Sequence, residues 1–417
     1  MNKLIIVPLF GLILILIDFY VFQAFRVIGQ DLPEFWRRLI YSGYWAITGI
    51  VLVGYFAYHF INPDIFPRFF RTFLMVGVFI HYFSKSFAMV FLVIDDVIRA
   101  GEWIVSLFSN KEMIQGPETA NKIPRSEFLA KAALIAGTAP LVTMTFGIVS
   151  GAHDYRVRRK KVLINNLPNA FDGMRIGQIS DIHSGSFFNK RAVKGGVNLL
   201  QNEKPDMIFF TGDLVNSQAN EVADYIDVFE QVKAPLGVYS TTGNHDYGDY
   251  RSWPSIKAKE ENFNNLIKAH QLLGWDLLLN ENRLLKIDGE QLAVLGVENW
   301  GAGRFSKYGD LDKAYAGSEE APMKLLLSHD PSHWDAQVRE KYPDINIMFA
   351  GHTHGFQFGV EWGNFKWSPS QYVYTQWAGL YRKEDQFLYV NRGYGYLGYP
   401  GRIGIPPEIT IIELKKA

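Results

Sequence analysis

The sequence predicts an α/β protein in which transmembrane helices precede a domain of layered β-sheets covered by helices. The first ~150 of the 417 residues are far more apolar than the rest, as expected for a membrane region joined to a soluble region. From residue 162 onward, short β-rich runs alternate with amphipathic helical stretches, a pattern typical of sheets covered by helices. We therefore divide the chain into a transmembrane region, residues 1–150, and a second domain, residues 151–417.

Four apolar runs approach the length of about 20 residues that crosses a bilayer as a helix. They cover residues 4–22, 39–61, 72–94 and 128–149. The alternative for the first run is a cleaved signal peptide, but it lacks a small-residue cleavage site and further apolar runs follow it. Asp95 and Asp96 are predicted to end the third span. Residues 97–108 would then be a short interfacial segment, followed by a polar linker over residues 109–125.

Three ionisable residues, Asp18, His81 and Lys85, fall at or near membrane depth. Such residues are functional candidates by default, with a role in transport as one hypothesis. The alternative, which we favour, is that they pair within the helix bundle.

The orientation in the membrane depends on which loops carry the positive charges. With the N-terminus inside, the cytoplasmic set is Lys3, Arg68, Arg71 and the basic stretch 156–161. With the N-terminus outside, it is Arg26, Arg37, Arg38, Arg99, Lys111, Lys122 and Arg125. The basic stretch is either a cytoplasmic anchor or the exposed edge of the first strand of the second domain. The run that begins Arg125-Ser-Glu-Phe-Leu-Ala looks like an incomplete twin-arginine export signal, so we expect an extracytoplasmic second domain.

The composition excludes several classes of protein and site. Lysines plus arginines number 42 and acidic residues number 42, a balance that argues against a protein that coats a polyanion, and no nucleic-acid partner is expected. The absence of cysteine excludes disulfides and thiolate metal sites. Any metal must therefore be bound by His, Asp, Glu, Asn or backbone oxygen.

Five predicted strands each run into a polar turn that carries Asp, His or Asn. The turns are Asp181-Ile-His183, Thr211-Gly-Asp213, Gly243-Asn-His-Asp246, Ser328-His329 and Gly351-His-Thr-His354. In layered α/β sheets the ligand site lies beyond the carboxyl ends of the strands, so these turns are expected to gather at one edge.

Oxygen and imidazole ligands without sulfur suit Mn, Fe, Zn or Mg ions rather than a structural zinc knot. The ligands are too many for one ion. Two divalent ions about 3.5–4 Å apart can share a carboxylate and clamp both oxygens of an in-line displacement at phosphorus. A water on such ions ionises near neutral pH and supplies the attacking hydroxide.

In this order, the five motifs resemble those of the calcineurin-like metallophosphoesterases over roughly residues 160–415. The resemblance implies a sandwich of two mixed β-sheets flanked by helices. It also implies that Asp181, His183 and His354 bind one metal, that Asn244, His329 and His352 bind the other, and that Asp213 bridges both. His245 would contact the phosphate and protonate the leaving oxygen, and Asp246 would orient the His245 ring.

Three shorter segments are similar to the membrane-associated branch that includes the YkuE and YaeI phosphoesterases. They are residues 167–173, residues 325–331 and the tail with Asn391-Arg-Gly393, Gly401-Arg402 and Pro406-Pro-Glu408. Two positions depart from the family pattern. Asn216 replaces an acid in the second motif, and Phe356 replaces a glycine after the last histidine.

The function expected from these features is that of a membrane-anchored phosphohydrolase acting on a phosphodiester or pyrophosphate bond, with a lipid-linked substrate. Lipid A precursor pyrophosphatases occur in the resembled family and support that substrate class. The alternatives are a tethered enzyme for soluble substrates, a non-catalytic receptor or scaffold, and a transporter.

Arg191, Arg304, Arg392 and Arg402 are candidates to bind a second phosphate. The aromatic segment 356–399 is either a membrane-facing lip or ordinary packing.

Overall fold

The structure, a computed structural model, describes residues 3–61, 65, 68–108, 125–165, 167–363 and 365–417. It divides into two compact units, Met1–Thr145 and Phe146–Ala417. The polar linker expected at residues 109–125 lies outside the described residues, apart from Arg125.

Four long helices account for most of the first unit. They are α1 (Lys3–Gly29), α2 (Glu34–Phe60), α3 (Arg68–Phe108) and α4 (Glu127–Val149), and all four are long and apolar enough to cross a membrane. The buried residues of α1 recur every three or four positions, at Val7, Gly11, Leu14, Asp18, Val21 and Ala24. This helix therefore packs through one stripe and leaves the rest of its apolar surface exposed.

The helix that contains the third predicted span continues beyond the predicted end of that span. Helix α3 continues through Asp95 and Asp96 to Phe108, so residues 97–108 belong to the same helix. The two acids instead bind the start of α4. The Arg125 guanidinium lies 3.3 Å from Asp95 and 2.9 Å from Asp96, and the Ser126 N–H donates to Asp95 at 2.9 Å. Because partners from another segment compensate the acids, these residues do not have to end a helix.

The ionisable residues of the bundle pair with one another, as expected. Asp18 is fully buried and forms an ion pair with Lys85. Its carboxylate also accepts hydrogen bonds from Tyr82 at 2.9 Å and Thr48 at 3.0 Å, and His81 Nε2 lies 3.6 Å away. One buried carboxylate on α1 thus joins α2 and α3.

The second unit contains two six-stranded mixed sheets and a two-stranded hairpin. The strands are β1 (Arg156–Ile164), β2 (Arg175–Ile179), β3 (Met207–Thr211), β4 (Val238–Thr241), β5 (Asp276–Leu277), β6 (Glu281–Ile287), β7 (Glu290–Gly296), β8 (Met323–Leu327), β9 (Ile347–Ala350), β10 (Val360–Trp362), β11 (Phe365–Trp367), β12 (Gly379–Lys383), β13 (Gln386–Val390) and β14 (Glu408–Lys416). The sheet orders are β1-β14-β2-β3-β4-β5 and β12-β13-β9-β8-β7-β6, and β10 pairs with β11. The sandwich implied by the resemblance is confirmed.

One hydrophobic core of this unit lies between the two sheets. Phe209 of the first sheet and Phe349 of the second meet there with ring centroids 4.9 Å apart. The helices on the outer faces are α5 (Lys190–Asn202), α6 (Ile226–Phe229), α7 (Ile256–Leu273), α8 (Leu311–Tyr315) and α9 (Arg339–Lys341). Central strands such as β3 and β8 are buried along their whole length, which explains why they read as unbroken apolar runs.

The basic stretch at residues 156–161 belongs to this folded unit. It forms most of β1, an edge strand that pairs in parallel with β14. Arg159 bonds Glu203 at 2.9 Å, and Arg158 lies 3.4 Å from Glu408. Of the two alternatives drawn from the sequence, the structure shows the strand edge.

Candidate metal centre

The five turns that carry the predicted metal ligands follow strands that run parallel to their neighbours in the sheet. Strands β2, β3 and β4 are parallel neighbours in one sheet, and β8 and β9 are parallel neighbours in the other. Their carboxyl ends carry Asp181, His183, Asp213, Asn244, His329, His352 and His354. The topology thus brings all seven side chains to one edge of the sandwich.

Five of these residues have left-handed backbone conformations. They are Asp181 (φ 52°), His183 (φ 48°), Asp213 (φ 61°), His352 (φ 69°) and His354 (φ 49°). Positive φ is uncommon outside glycine, and a cluster of such residues marks positions where the surroundings impose the backbone. The left-handed turns explain how residues spaced two apart, such as Asp181 and His183, point into the same site.

The first group of ligand-type atoms comes from Asp181, His183 and His354. Nε2 of His354 lies 3.1 Å from Nε2 of His183 and 3.2 Å from Oδ1 of Asp181. The three ligand atoms lie within 4.8 Å of one another. Two imidazole nitrogens this close attract each other only with a proton or a cation between them.

A second group is formed by Asp213, His329 and His352. Nε2 of His329 lies 3.1 Å from Oδ2 of Asp213 and 3.3 Å from Nδ1 of His352. The same Oδ2 lies 3.5 Å from Nε2 of His183 in the first group. A single carboxylate oxygen is therefore positioned between the two groups, as a bridging ligand requires.

Two further details fit cation binding. The Asn244 side-chain nitrogen donates to the Tyr250 hydroxyl at 2.7 Å, and its buried Oδ1 has no hydrogen-bond partner among the described residues. Nδ1 of His329 donates to the Thr211 carbonyl at 2.7 Å, which leaves the Nε2 lone pair facing the cluster. Such a hydrogen bond on the far nitrogen is the usual way of orienting a metal-binding histidine.

The charges of the cluster also favour a cation. Burial lowers the pKa of His329, but the Asp213 carboxylate outweighs it and raises that pKa to about 10. Burial would raise the pKa of Asp213, yet the charge of His329 keeps it well below its ordinary range. The buried carboxylate thus draws positive charge to this place. Divalent cations would displace the proton, because metal ligands bind in their deprotonated forms.

Asp246 and His245 have separate hydrogen-bond partners in the structure. Its carboxylate accepts hydrogen bonds from the backbone N–H groups of Asp213, Leu214 and Gly243, each at 2.9 Å. Nδ1 of the His245 ring instead faces the main-chain carbonyl of Asn216 at 2.8 Å. Asp246 therefore fixes the turn that carries Asp213, and Asn216 orients the His245 ring.

Two contacts of the predicted ligands were not predicted from the sequence. The Tyr374 hydroxyl lies 2.8 Å from Nε2 of His352, and a Nη2 atom of Arg402 lies 3.3 Å from Nδ1 of His354. Arg402 is buried and donates to main-chain carbonyls, and Arg392 pairs with Glu408 at 2.6 Å. Neither arginine is available for the second phosphate that the sequence suggested.

Comparison with known proteins agrees with this architecture. Residues 174–356 match the family model described as calcineurin-like phosphoesterase, and residues 2–152 match one described as a probable calcineurin-like phosphoesterase transmembrane domain. Both models are described as calcineurin-like phosphoesterase models, which confirms the expected resemblance to that family. The transmembrane family model and the four helices able to cross a membrane support a membrane protein.

Three curated relatives show how far the similarity extends. A zebrafish (Danio rerio) transmembrane protein with metallophosphoesterase domain is 30% identical over 66% of this chain and 61% of that protein. The uncharacterized metallophosphoesterase YkuE of Bacillus subtilis is 29% identical over 60% of this chain and 82% of YkuE. The UDP-2,3-diacylglucosamine pyrophosphatase LpxG of Chlamydia trachomatis is 26% identical over 60% of this chain and 86% of LpxG. The chain thus spans less than two thirds of the zebrafish relative.

Proposed function

We propose that this protein is a membrane-anchored phosphohydrolase that uses two divalent cations to cleave a phosphodiester or pyrophosphate bond of a lipid-linked substrate. The observation that carries the proposal is the position of Asp213 Oδ2, 3.5 Å from His183 Nε2 in one group and 3.1 Å from His329 Nε2 in the other. This geometry suits a shared ligand between two cations.

Seven side chains would hold the two cations. Asp181, His183 and His354 would bind one, Asn244, His329 and His352 the other, and Asp213 both. Bound cations of this kind polarise phosphoryl oxygens and make an ionised water available as the nucleophile near neutral pH. The donor set of oxygen and imidazole suits Mn, Fe, Zn or Mg.

His245 would act on the leaving group. Because the Asn216 carbonyl can only accept, Nδ1 of His245 carries a proton in the 2.8 Å contact. Nε2 is then the atom that would donate a proton to the leaving oxygen when the ring is protonated. The ring centroid lies 5.0 Å from that of His183, so the proton donor stands beside the first group of ligands.

Two observations support a lipid-linked substrate. Four helices long and apolar enough to cross a membrane belong to the same chain as the candidate site. The printed name of the LpxG relative describes a pyrophosphatase that acts on UDP-2,3-diacylglucosamine, a nucleotide-linked molecule bearing acyl chains. A substrate class of this chemistry would be met at the bilayer surface.

We further propose that the catalytic domain is extracytoplasmic. The structure places the basic residues 156–161 in strand β1, with Arg158 and Arg159 facing acids of the folded domain. If that stretch is not counted as a loop, the orientation with the N-terminus inside has only Lys3, Arg68 and Arg71 as cytoplasmic basic residues. The opposite set keeps all seven of its lysines and arginines, and the side with more positive loops is cytoplasmic. An even number of spans then returns the catalytic domain to the outer side.

The test uses the purified full chain in lipid nanodiscs with Mn²⁺ and a soluble aryl phosphodiester. We expect turnover, with two metal ions per chain by elemental analysis. Asp213→Asn should lose both metal and turnover, whereas Asp227→Asn, an exposed aspartate paired with Lys190, should keep both. A fully metal-loaded chain without turnover on any phosphodiester or pyrophosphate would contradict the proposal.

Orientation is tested separately by fusing paired reporters to the end of β14. Activity of a reporter that works only outside the cytoplasm is expected. Activity confined to the cytoplasmic reporter would overturn the orientation and leave the enzymatic proposal intact.

A further inference from the structure

The hairpin of β10 and β11 turns apolar side chains outward and charged side chains inward, the reverse of an ordinary surface hairpin. Val360, Trp362 and Phe365 point outward and are 52%, 85% and 61% exposed. Glu361 and Lys366 face each other in the register and are less exposed. A two-stranded hairpin on a soluble surface normally turns its apolar face inward and its charges outward.

The charged face is held in place by specific partners. Glu361 accepts hydrogen bonds from Arg392 at 2.6 and 2.9 Å, and Lys366 donates to the Ala378 carbonyl and to the Tyr381 hydroxyl. Arg392 is itself buried, so rotating the hairpin would leave a buried charge without this partner. The outward direction of the apolar face is therefore fixed by the fold.

The exposed apolar surface extends beyond the hairpin. We define the apolar lip as Phe356, Phe358, Val360, Trp362, Phe365, Tyr372 and Val373, all of which are exposed. They fall within eighteen consecutive positions of the chain. Other exposed large apolar residues of this unit, such as Leu163, Leu199 and Leu272, are far apart in the sequence. Concentrated apolar exposure of this kind marks an interaction surface rather than ordinary surface scatter.

The apolar lip is linked directly to the candidate metal centre. Phe356 follows the predicted ligand His354 by two residues. The Ser368 hydroxyl donates to the Gly355 carbonyl at 2.7 Å, and the Tyr374 hydroxyl lies 2.8 Å from His352. The lip therefore lies beside the turn that carries two of the predicted ligands.

We propose that the apolar lip inserts into the surface of the bilayer and delivers lipid-linked phosphates from it to the metal centre. The delivery role rests on the proposed function. A bilayer is the occupant that fits, because the same chain carries four helices able to cross a membrane. Trp and Tyr side chains with apolar neighbours and few charges favour the region between headgroups and acyl chains.

Insertion can be measured with a thiol-specific spin label at a single introduced cysteine, because the chain contains no native cysteine that would also be labelled. Trp362→Cys carries a nitroxide label in nanodiscs that hold one copy each, so that a second copy cannot protect it. The matched control is Leu272→Cys on α7, another exposed apolar position at 69%. We expect the label at 362 to collide with oxygen in preference to a water-soluble nickel chelate, and the label at 272 to show the reverse. Equal access of the chelate to both labels would overturn the proposal.

The consequence for catalysis is tested with Trp362→Glu combined with Phe365→Glu, against Leu272→Glu as the control. We expect kcat/KM on a diacylglycerol pyrophosphate in nanodiscs to fall at least tenfold for the double variant, with turnover of a soluble aryl phosphodiester unchanged. Equal losses on both substrates, or no loss on the lipid, would overturn the delivery role. A wild-type chain that cleaves neither substrate would overturn the proposed function instead, while the labelling result would still decide whether the lip inserts.

Discussion

Nδ1 of His245 lies 2.8 Å from the main-chain carbonyl oxygen of Asn216. The backbone of Asn216 is itself held, because its N–H donates to the Glu221 carboxylate at 2.6 Å. The orientation of the proposed proton donor thus depends on a main-chain atom, so no side-chain substitution at residue 216 removes the contact directly.

Replacing His245 should separate catalysis from metal binding. His245→Ala is expected to keep two metal ions per chain and to lower kcat by about 10²–10⁴-fold, the usual contribution of general acid–base catalysis. Steady-state kinetics and elemental analysis on the same preparation check this. Loss of metal from the variant would show that His245 is a ligand and not a proton donor.

Arg402 should stabilise both its own segment and the first group of ligands. Its guanidinium donates to the carbonyls of Arg392 at 2.8 Å and Gly393 at 3.0 Å, and it lies 3.3 Å from His354. A lysine ammonium cannot make all of these hydrogen bonds at once. Arg402→Lys is therefore expected to lower the free energy of unfolding by about 3 kcal/mol and to weaken metal binding. Denaturant titration and metal titration measure the two effects. Arg382→Lys, at an exposed ion pair, is the control and should change neither.

The stability of the catalytic domain should fall in mild acid because of His270. This ring is fully buried, and burial lowers its pKa to about 3. The unfolded chain binds the proton near pH 6.5 and the folded chain does not. Stability is therefore complete above about pH 6.5 and decreases by ~1.4 kcal/mol per unit as the pH falls toward 3.

His270→Gln should remove the part of the pH dependence of stability that comes from His270. The slope of unfolding free energy against pH, measured by denaturant titration between about pH 6 and 4, should be smaller in the variant by ~1.4 kcal/mol per unit. Comparing the two slopes cancels the other titrating groups. Identical slopes would mean that His270 takes up its proton without unfolding.

Removing one partner of the Asp18–Lys85 ion pair should destabilise the helix bundle more than removing both partners. Asp18→Asn leaves the Lys85 ammonium buried without its counter-charge, which typically costs about 3–5 kcal/mol. The double variant Asp18→Asn with Lys85→Met should recover much of that loss. Thermal unfolding in detergent measures the series, and a double variant as unstable as the single one would contradict the pairing.

The candidate ligands could be predicted because each follows an apolar strand at a polar turn, and parallel strands bring their carboxyl ends to one edge. Their left-handed backbones could not be predicted, since positive φ at Asp181 or His354 is imposed by the surrounding structure. The hydrogen-bond partners of Asp246 could not be predicted for a related reason. Its proximity to His245 in sequence says nothing about the direction in which a tight turn aims each side chain.

Long-range partners account for the other differences. Asp95 and Asp96 suggest a helix end until Arg125 is seen to compensate them. Which face of the β10–β11 hairpin points inward depends on Arg392, a partner from a distant part of the chain. Strand β1 has no local signal for its pairing with β14.

Strand β14 hydrogen-bonds to β1 on one side and β2 on the other, and it is made after every other strand described. During synthesis the first sheet therefore stays divided, with the turn that bears Asp181 and His183 attached to an unpaired edge, until β14 leaves the ribosome. The four apolar helices can enter the membrane well before that moment. The order of the chain therefore allows the four helices to be anchored before the sheet that carries Asp181 and His183 is complete.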